Sequence, residues 1–513
     1  MKLAVGICGF QPGYEIILKQ EGIPFRTISE DYDFEKEDFA VIILGRNAVS
    51  RKEKIMDFLY SGGFVLTEAE IFAELFHLRI KTKKVDYLIA EEKSDFSEVG
   101  FADIFGKISV LKDAQSEFLD KNLQIRFRKI GNGGAIILPF DVNLLITDFR
   151  SMRKKFYYPR KEQPSEIVAK ISKAKIRKIV MIALRSLFFR NNLPLVRLSY
   201  FPENWKSIFI FRLDTDFCSF ADAEKMYEIC RQNDIRATWF LDTESDEKIK
   251  QYAAFKNQEL ALHCYKHKVY DTERENFANL EIGVRKLEKA GVKPVGFAAP
   301  FGDWNLALAH ALERMKFFYS SEFTLDYDNL PFFPFVAGKF SSVLQIPIHP
   351  VSLGRLRRSH FSENEMLQYF RQVIRQKYEK REPIIIYHHP HHLHFNIFDA
   401  IFKEVSEFEN LGFLTMTEFA QWWKFRSNLQ IFPEFSHNKI LLKKENLNKN
   451  ISLEVQIPQG IAYLNMEKSE IDLDEIDFQK EKSRGMKVDY KYLHKKGWRE
   501  FLYDWETRRN KKK

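Results

Sequence analysis

Residues 207–217 read SIFIFRLDTDF, an unbroken apolar run that ends on charged side chains. Such a run predicts a strand that passes through a core and delivers its last residues to the surface of a sheet. Side chains alternate along a strand, so Arg212, Asp214 and Asp216 project to one face if the extended conformation persists. Two carboxylates at the end of an apolar strand are costly unless a cation accompanies them, and a metal or Arg212 would serve.

Seven further runs follow at intervals suited to alternation with helices: ATWFLD (237–242), ELALH (259–263), PVGFAAP (294–300), FFYSS (317–321), LQIPIHP (344–350), PIIIYHH (383–389) and FLTMT (413–417). Helical patterns such as FADAEKMYEICRQND (220–234) and ENFANLEIGVRKLEKAG (275–291) lie between them. The order predicts a (β/α) barrel of seven or eight units over 196–427, with reactive groups at the C-terminal ends of its strands.

Upstream, short apolar runs at 2–8, 39–44 and 63–66 alternate with GYEIILKQEG and SRKEKIMDFLYSGG, and GNGGAIILPFDV (131–142) adds a glycine turn and a strand. This predicts a parallel α/β domain over 1–150. The Gly62-Gly63 pair has the chemistry of a helix C-terminus leading into a strand. Residues 151–195 read as a basic linker and helix, and 428–513 as a small β-containing basic tail whose end, RRNKKK, is a solvated terminus or a contact for anionic glycan or lipid.

The chain has 513 residues, 45% hydrophobic and 29% charged, which excludes both a single small module and general disorder. A net charge of +9 suits an anionic substrate or membrane surface and does not imply nucleic-acid binding. The 48 phenylalanines are spread along the chain and read as core packing. Four cysteines without C-x-x-C spacing fit a reducing compartment, and MKLAVGICGF reads as a first strand, so a cytoplasmic location is expected. The segment 176–196 carries Arg177, Lys178, Arg185 and Arg190 and cannot comfortably span a bilayer; a helix packed on its own protein is expected, with peripheral membrane contact as the alternative.

His263 ends the third barrel strand and His267 follows four residues later, a spacing that puts two imidazoles on one side of a helical turn, as metal ligation needs. The next strand ends GFAAPFGDWN, where Pro300 shapes a tight loop and Asp303 and Trp304 can reach a substrate. PIIIYHHPHHLHF places His388 and His389 directly after a buried strand, one of them a candidate general acid. His349 and Arg355, Arg357 and Arg358 are candidates for selecting an acidic substrate, against the plainer reading of a solvated basic loop.

In this order, Asp-x-Asp, His-x-x-x-His, Pro-Phe-Gly and a strand ending in histidine, residues 200–425 resemble the polysaccharide deacetylases of the NodB-homology type, carbohydrate esterase family 4. The resemblance implies removal of acetyl groups from N-acetylated or O-acetylated sugars with a divalent metal, usually zinc. It makes Asp216, His263 and His267 the metal triad, Asp214 the general base and His389 the general acid, with Pro300, Asp303, Trp304, His388 and His349 toward the carbohydrate substrate. The pattern is broken in three places. Thr215 separates the aspartates. Ala298 stands where the family carries an arginine, and Arg212 is expected to substitute for it. The histidine strand ends in a doublet, of which His389 is preferred because Pro390 marks the strand end.

The first 145 residues resemble, in pattern alone, the flavodoxin-type glutamine-amidotransferase-like domain. An amidotransferase needs a cysteine on a strand-to-helix elbow with a histidine partner; this stretch holds only Cys8, within a strand, and His77, so the domain reads as a non-catalytic accessory or homo-oligomerisation unit. Two alternatives to the deacetylase stand beside it: an inactive glycan-binding scaffold, and another amide hydrolase or a glycosidase using Asp214 and Asp303.

Overall fold

The computed structural model describes residues 1–29, 33–446, 448–480 and 502. The division of contacts differs from the linear one at 150, 195 and 427. One unit gathers Met1–Asp148, Ile171–Asn204 and the described residues from 425 to 480; the other gathers Phe149–Lys170 and Trp205–Lys424.

In the first unit, Phe25–Ile28, Val5–Cys8, Val41–Leu44, Phe64–Glu68 and Gly133–Leu138 lie side by side in that order, all parallel. Ile125–Ile130 and Glu117–Asp120 extend the sheet antiparallel. Helix Pro12–Glu21 begins with proline at its first position and ends on Gly22, whose φ of 67° lets its N–H reach the Leu18 and Lys19 carbonyls. The Gly62-Gly63 turn does what its composition predicts, with Gly62 at φ 101° between helix Lys52–Tyr60 and strand Phe64–Glu68.

Helix Lys173–Arg190, within the stretch read as basic linker and helix, is packed on its own protein as expected, buried in this unit along Ile176, Ile179, Val180, Ala183, Leu184 and Leu187. Its Arg177 is buried too, because Glu21 neutralises it; Glu21 also pairs with Arg197, which holds Glu454 at 2.7 Å, and accepts from the Tyr200 hydroxyl at 2.5 Å. The tail supplies the expected strands, Asn448–Ile457 and Gly460–Met466, and Asn448–Ile457 pairs antiparallel with Leu195–Leu198. The basic C-terminal end lies outside the described residues. Among the described residues, no helix is long and apolar enough to cross a membrane.

In the second unit, seven of the eight runs contain a strand; the eighth, FLTMT, meets its strand, Leu411–Phe413, only at Phe413 and runs on into helix Met416–Asn428. Leu344–Gln345, Tyr319–Ser320, Gly296–Phe297, Glu259–Cys264, Thr238–Asp242, Ser207–Asp214 and Ile384–His388 are neighbours in that order, and Leu411–Phe413 also pairs with Ser207–Asp214. All these pairings are parallel, and the sheet curls so far that the His349 N–H donates to Ile385 O at 2.9 Å across its two edges. Ser207–Asp214 is buried at every position. Its Phe209 and Phe211 face helix Phe395–Val405, with Phe211 rings 4.8 and 5.0 Å from Phe398 and Phe402. Residues 149–170 are not a bare linker: Ser151–Lys155 and Ser165–Ala169 form a hairpin, and the Ala169 N–H donates to Phe323 O.

Candidate metal centre

The C-terminal ends of Ser207–Asp214, Glu259–Cys264, Gly296–Phe297 and Ile384–His388 deliver the chemistry. Arg212, wholly buried, lies along Asp214: Nε to Oδ1 and Nη2 to Oδ2 are each 2.7 Å. Its remaining Nη1 donates to the Ser321 carbonyl at 2.8 Å and the Ser321 hydroxyl at 3.1 Å, and its guanidinium lies over the Phe240 ring at 4.9 Å. Burial pushes the Asp214 carboxyl up, but the Arg212 charge and fork outweigh it and hold Asp214 below the usual carboxylate range.

Asp216, two residues on, faces three imidazoles. Its Oδ1 is 3.5 Å from His263 Nε2 and 3.4 Å from His389 Nε2, and its Oδ2 is 3.5 Å from His267 Nε2. Burial opposes ionisation, yet the charges of His389, His263 and His267 bring Asp216 down to about 2. Burial, with His263 next, lowers His267 to about 4, so it is neutral and ligand-ready at pH 7. His267 is reached through a bend rather than the helical turn its spacing suggested. Asn279, from helix Glu273–Lys289, fixes that bend: its Oδ1 accepts the Lys266 N–H at 2.7 Å and its Nδ2 donates to Lys266 O at 3.1 Å. Nothing in the local pattern marks Asn279 for this role.

Donor atoms of Asp216, His263 and His267 lie within 4.8 Å of one another. His263 Nδ1 is 2.7 Å from Ala298 O, which sets the proton on Nδ1 and leaves the Nε2 lone pair aimed at Asp216. Among the described residues, His263 Nε2 and Asp216 Oδ1 are buried without a hydrogen-bond partner. Two orphaned donors beside a third, of nitrogen and oxygen type, are what a tetrahedral divalent cation satisfies, so the residues fit the expected metal.

His389 sits above this set, its Nε2 also 4.0 Å from Asp214 Oδ2. Pro300 is buried at the start of the turn Pro300–Gly302, and Phe301 brings its ring 4.8 Å from that of His267. Asp303 and Trp304 follow, half-buried, with Trp304 packed 4.7 Å from Phe149 and its N–H donating to the Thr324 hydroxyl at 2.8 Å.

Two expected substrate residues are placed elsewhere. His388 is wholly buried on the other side of its strand, 4.5 Å from the Phe398 ring, as alternation from His389 requires. His349 spends both ring nitrogens, Nδ1 on Asp328 at 3.0 Å and Nε2 on the Tyr369 hydroxyl at 3.1 Å. Glu322 was not anticipated. It is fully buried, burial lifts it to about 7, and its Oε1 accepts the Ala299 N–H at 3.2 Å.

No family model matches the chain, and no curated protein matches it. Solved structures do, over its second part. A Mycobacterium smegmatis protein named as a polysaccharide deacetylase is 19% identical, with a TM-score of 0.37, over 44% of this chain and 93% of its own. The allantoinase Puue is 14% identical, with a TM-score of 0.36, over the same shares of 44% and 93%. A Bacillus anthracis carbohydrate esterase family 4 pseudoenzyme is 19% identical, with a TM-score of 0.31, over 42% of this chain and 66% of its own. At these scores they assign no activity to this chain.

Proposed function

We propose that this protein is a metal-dependent hydrolase that removes acetyl groups from an N-acetylated or O-acetylated sugar or polysaccharide. The observation that carries the reading is one arrangement: a buried Asp216, His263 and His267 set with unsatisfied donors, flanked by an ionised Asp214 and by His389. A divalent cation, zinc by the donor set, supplies Lewis acidity there, acidifying water and polarising a carbonyl.

The chain's own groups do the rest. Asp214, locked by Arg212 in one orientation and kept deprotonated, accepts a proton from the attacking water as its oxygen bonds to the acetyl carbon. His389, at the end of the neighbouring strand, gives a proton to the leaving nitrogen or oxygen as the bond to the acetyl carbon breaks, so acetate and the free amine or hydroxyl depart. Arg212, lying against Asp214, holds that carboxylate ready to accept the proton.

The first unit is proposed as non-catalytic. Cys8 is 2% exposed within a strand and His77 is held 3.1 Å from Lys52, so among the described residues these two form no nucleophile and base pair of the amidotransferase kind. The test is acetate release from chitohexaose and from a hyaluronan hexasaccharide, either of which counts, by zinc-reconstituted protein. Release by the wild type and none by Asp214→Asn supports the reading; no release by the wild type overturns it.

A further inference from the structure

Two groups at the rim of the centre have no part in that chemistry. Phe217 follows Asp216 directly and is 74% exposed, with φ at 55°, a left-handed conformation that a bulky side chain adopts only under constraint. Its ring stands edge to face with His267 at 5.1 Å and with His391 at 6.3 Å. A large apolar ring is thus held in solvent, under strain, against a metal-ligand histidine. Glycine would relax the backbone there and remove the ring.

The second group is Arg357, on the short helix Leu353–Arg358. Arg355 of that helix pairs with Glu166, whereas Arg357 is exposed and has no carboxylate partner among the described residues. Gly354, three residues earlier and so on the same face, lies against His392 so closely that a Cβ would collide with the imidazole. The face that carries Arg357 is therefore turned to the histidine loop. The His392 ring lies 4.2 Å from that of His391, the same ring that Phe217 meets. The contacts of Gly354 with His392, His392 with His391 and His391 with Phe217 thus join the helix of Arg357 to the exposed ring.

We propose that this rim binds an anionic sugar residue adjoining the acetylated one, with the ring face of the sugar on Phe217 and its carboxylate on Arg357. The inference rests on the deacetylase reading and narrows its substrate to acidic glycans. A guanidinium presents a planar fork that matches a carboxylate. The electron-rich face of an exposed phenyl ring suits the polarised C–H face of a pyranose.

The test is calorimetric titration of the full-length, metal-free chain, which does not turn substrate over, with a hyaluronan hexasaccharide, whose uronates alternate with N-acetylglucosamine, and with neutral chitohexaose. Hyaluronan binds more tightly, the difference shrinks as salt rises, and Arg357→Gln removes about tenfold of affinity, the size expected for one charge-assisted bond. Arg357→Lys recovers part of it, and Phe217→Gly weakens both ligands. Equal affinities in the wild type, a preference that survives in Arg357→Gln, or binding of neither ligand overturns the proposal. Acetate release is read separately with zinc-loaded protein: turnover without charge preference removes this inference and leaves the deacetylase, while charge-selective binding without turnover does the reverse.

Discussion

Arg212 and Asp214 stand two residues apart on one strand and meet through a fork of two 2.7 Å hydrogen bonds, both side chains buried. On the proposed function, the same pair takes the place of the arginine expected at Ala298: the cation that orders the proposed base comes from that base's own strand. Removing one partner of a buried ion pair leaves the other charge uncompensated. Arg212→Ala is expected to cost about 3–5 kcal/mol in urea denaturation and to abolish acetate release. Arg212→Lys keeps the charge without the fork and falls between. Wild-type stability and activity in Arg212→Ala would contradict this account of Asp214.

His389 and His388 are adjacent, and their variants should fail differently. His389→Ala is expected to lower kcat for an N-acetylated sugar by roughly a hundredfold to ten-thousandfold, the range of a lost general acid, with KM little moved. An aryl acetate, whose leaving group needs no proton, should show a much smaller loss. His388→Ala removes packing on Phe398 and is expected to lower stability by about 1–3 kcal/mol. Steady-state kinetics on both substrates beside thermal melts separate the two.

The strands of the curled parallel sheet were legible because they are apolar runs closed by polar residues, as SIFIFRLDTDF shows, and the grouping of Asp216, His263 and His267 was legible because Asp216 and His263 close such runs and His267 follows four residues on. The interleaving of the units was not. The helix of Arg177 was expected to pack on its own protein, but nothing near it names the partner: the Glu21 that neutralises Arg177 lies 156 residues away. His349 likewise read as exposed, since nothing in PIHP announces Asp328 or Tyr369. Phe217 passed as one phenylalanine among many until its exposure and backbone were seen.

Glu68 offers a test of the first unit through pH. Burial, reinforced by Asp141, lifts its carboxyl from 4.5 to about 8, while the Val142 N–H donates to Oε1 at 2.9 Å. The folded state therefore holds a proton that the unfolded state releases above 4.5. The contribution of this group is fully present below that value and is lost as pH rises toward 8, on the order of a few kcal/mol. Glu68→Gln cannot ionise, so its melting temperature is expected to gain on the wild type steadily from pH 5 to pH 8. Parallel melting curves for the two proteins across that range would contradict the assignment.

The most direct test of the central claim is elemental analysis of the full-length protein after zinc loading and dialysis, with His263→Ala and His267→Ala beside it. The account predicts one tightly held zinc per wild-type chain and a loss of that zinc in each variant, while the variants still fold by circular dichroism. A wild type that retains no metal, or variants that retain as much as it does, would contradict it.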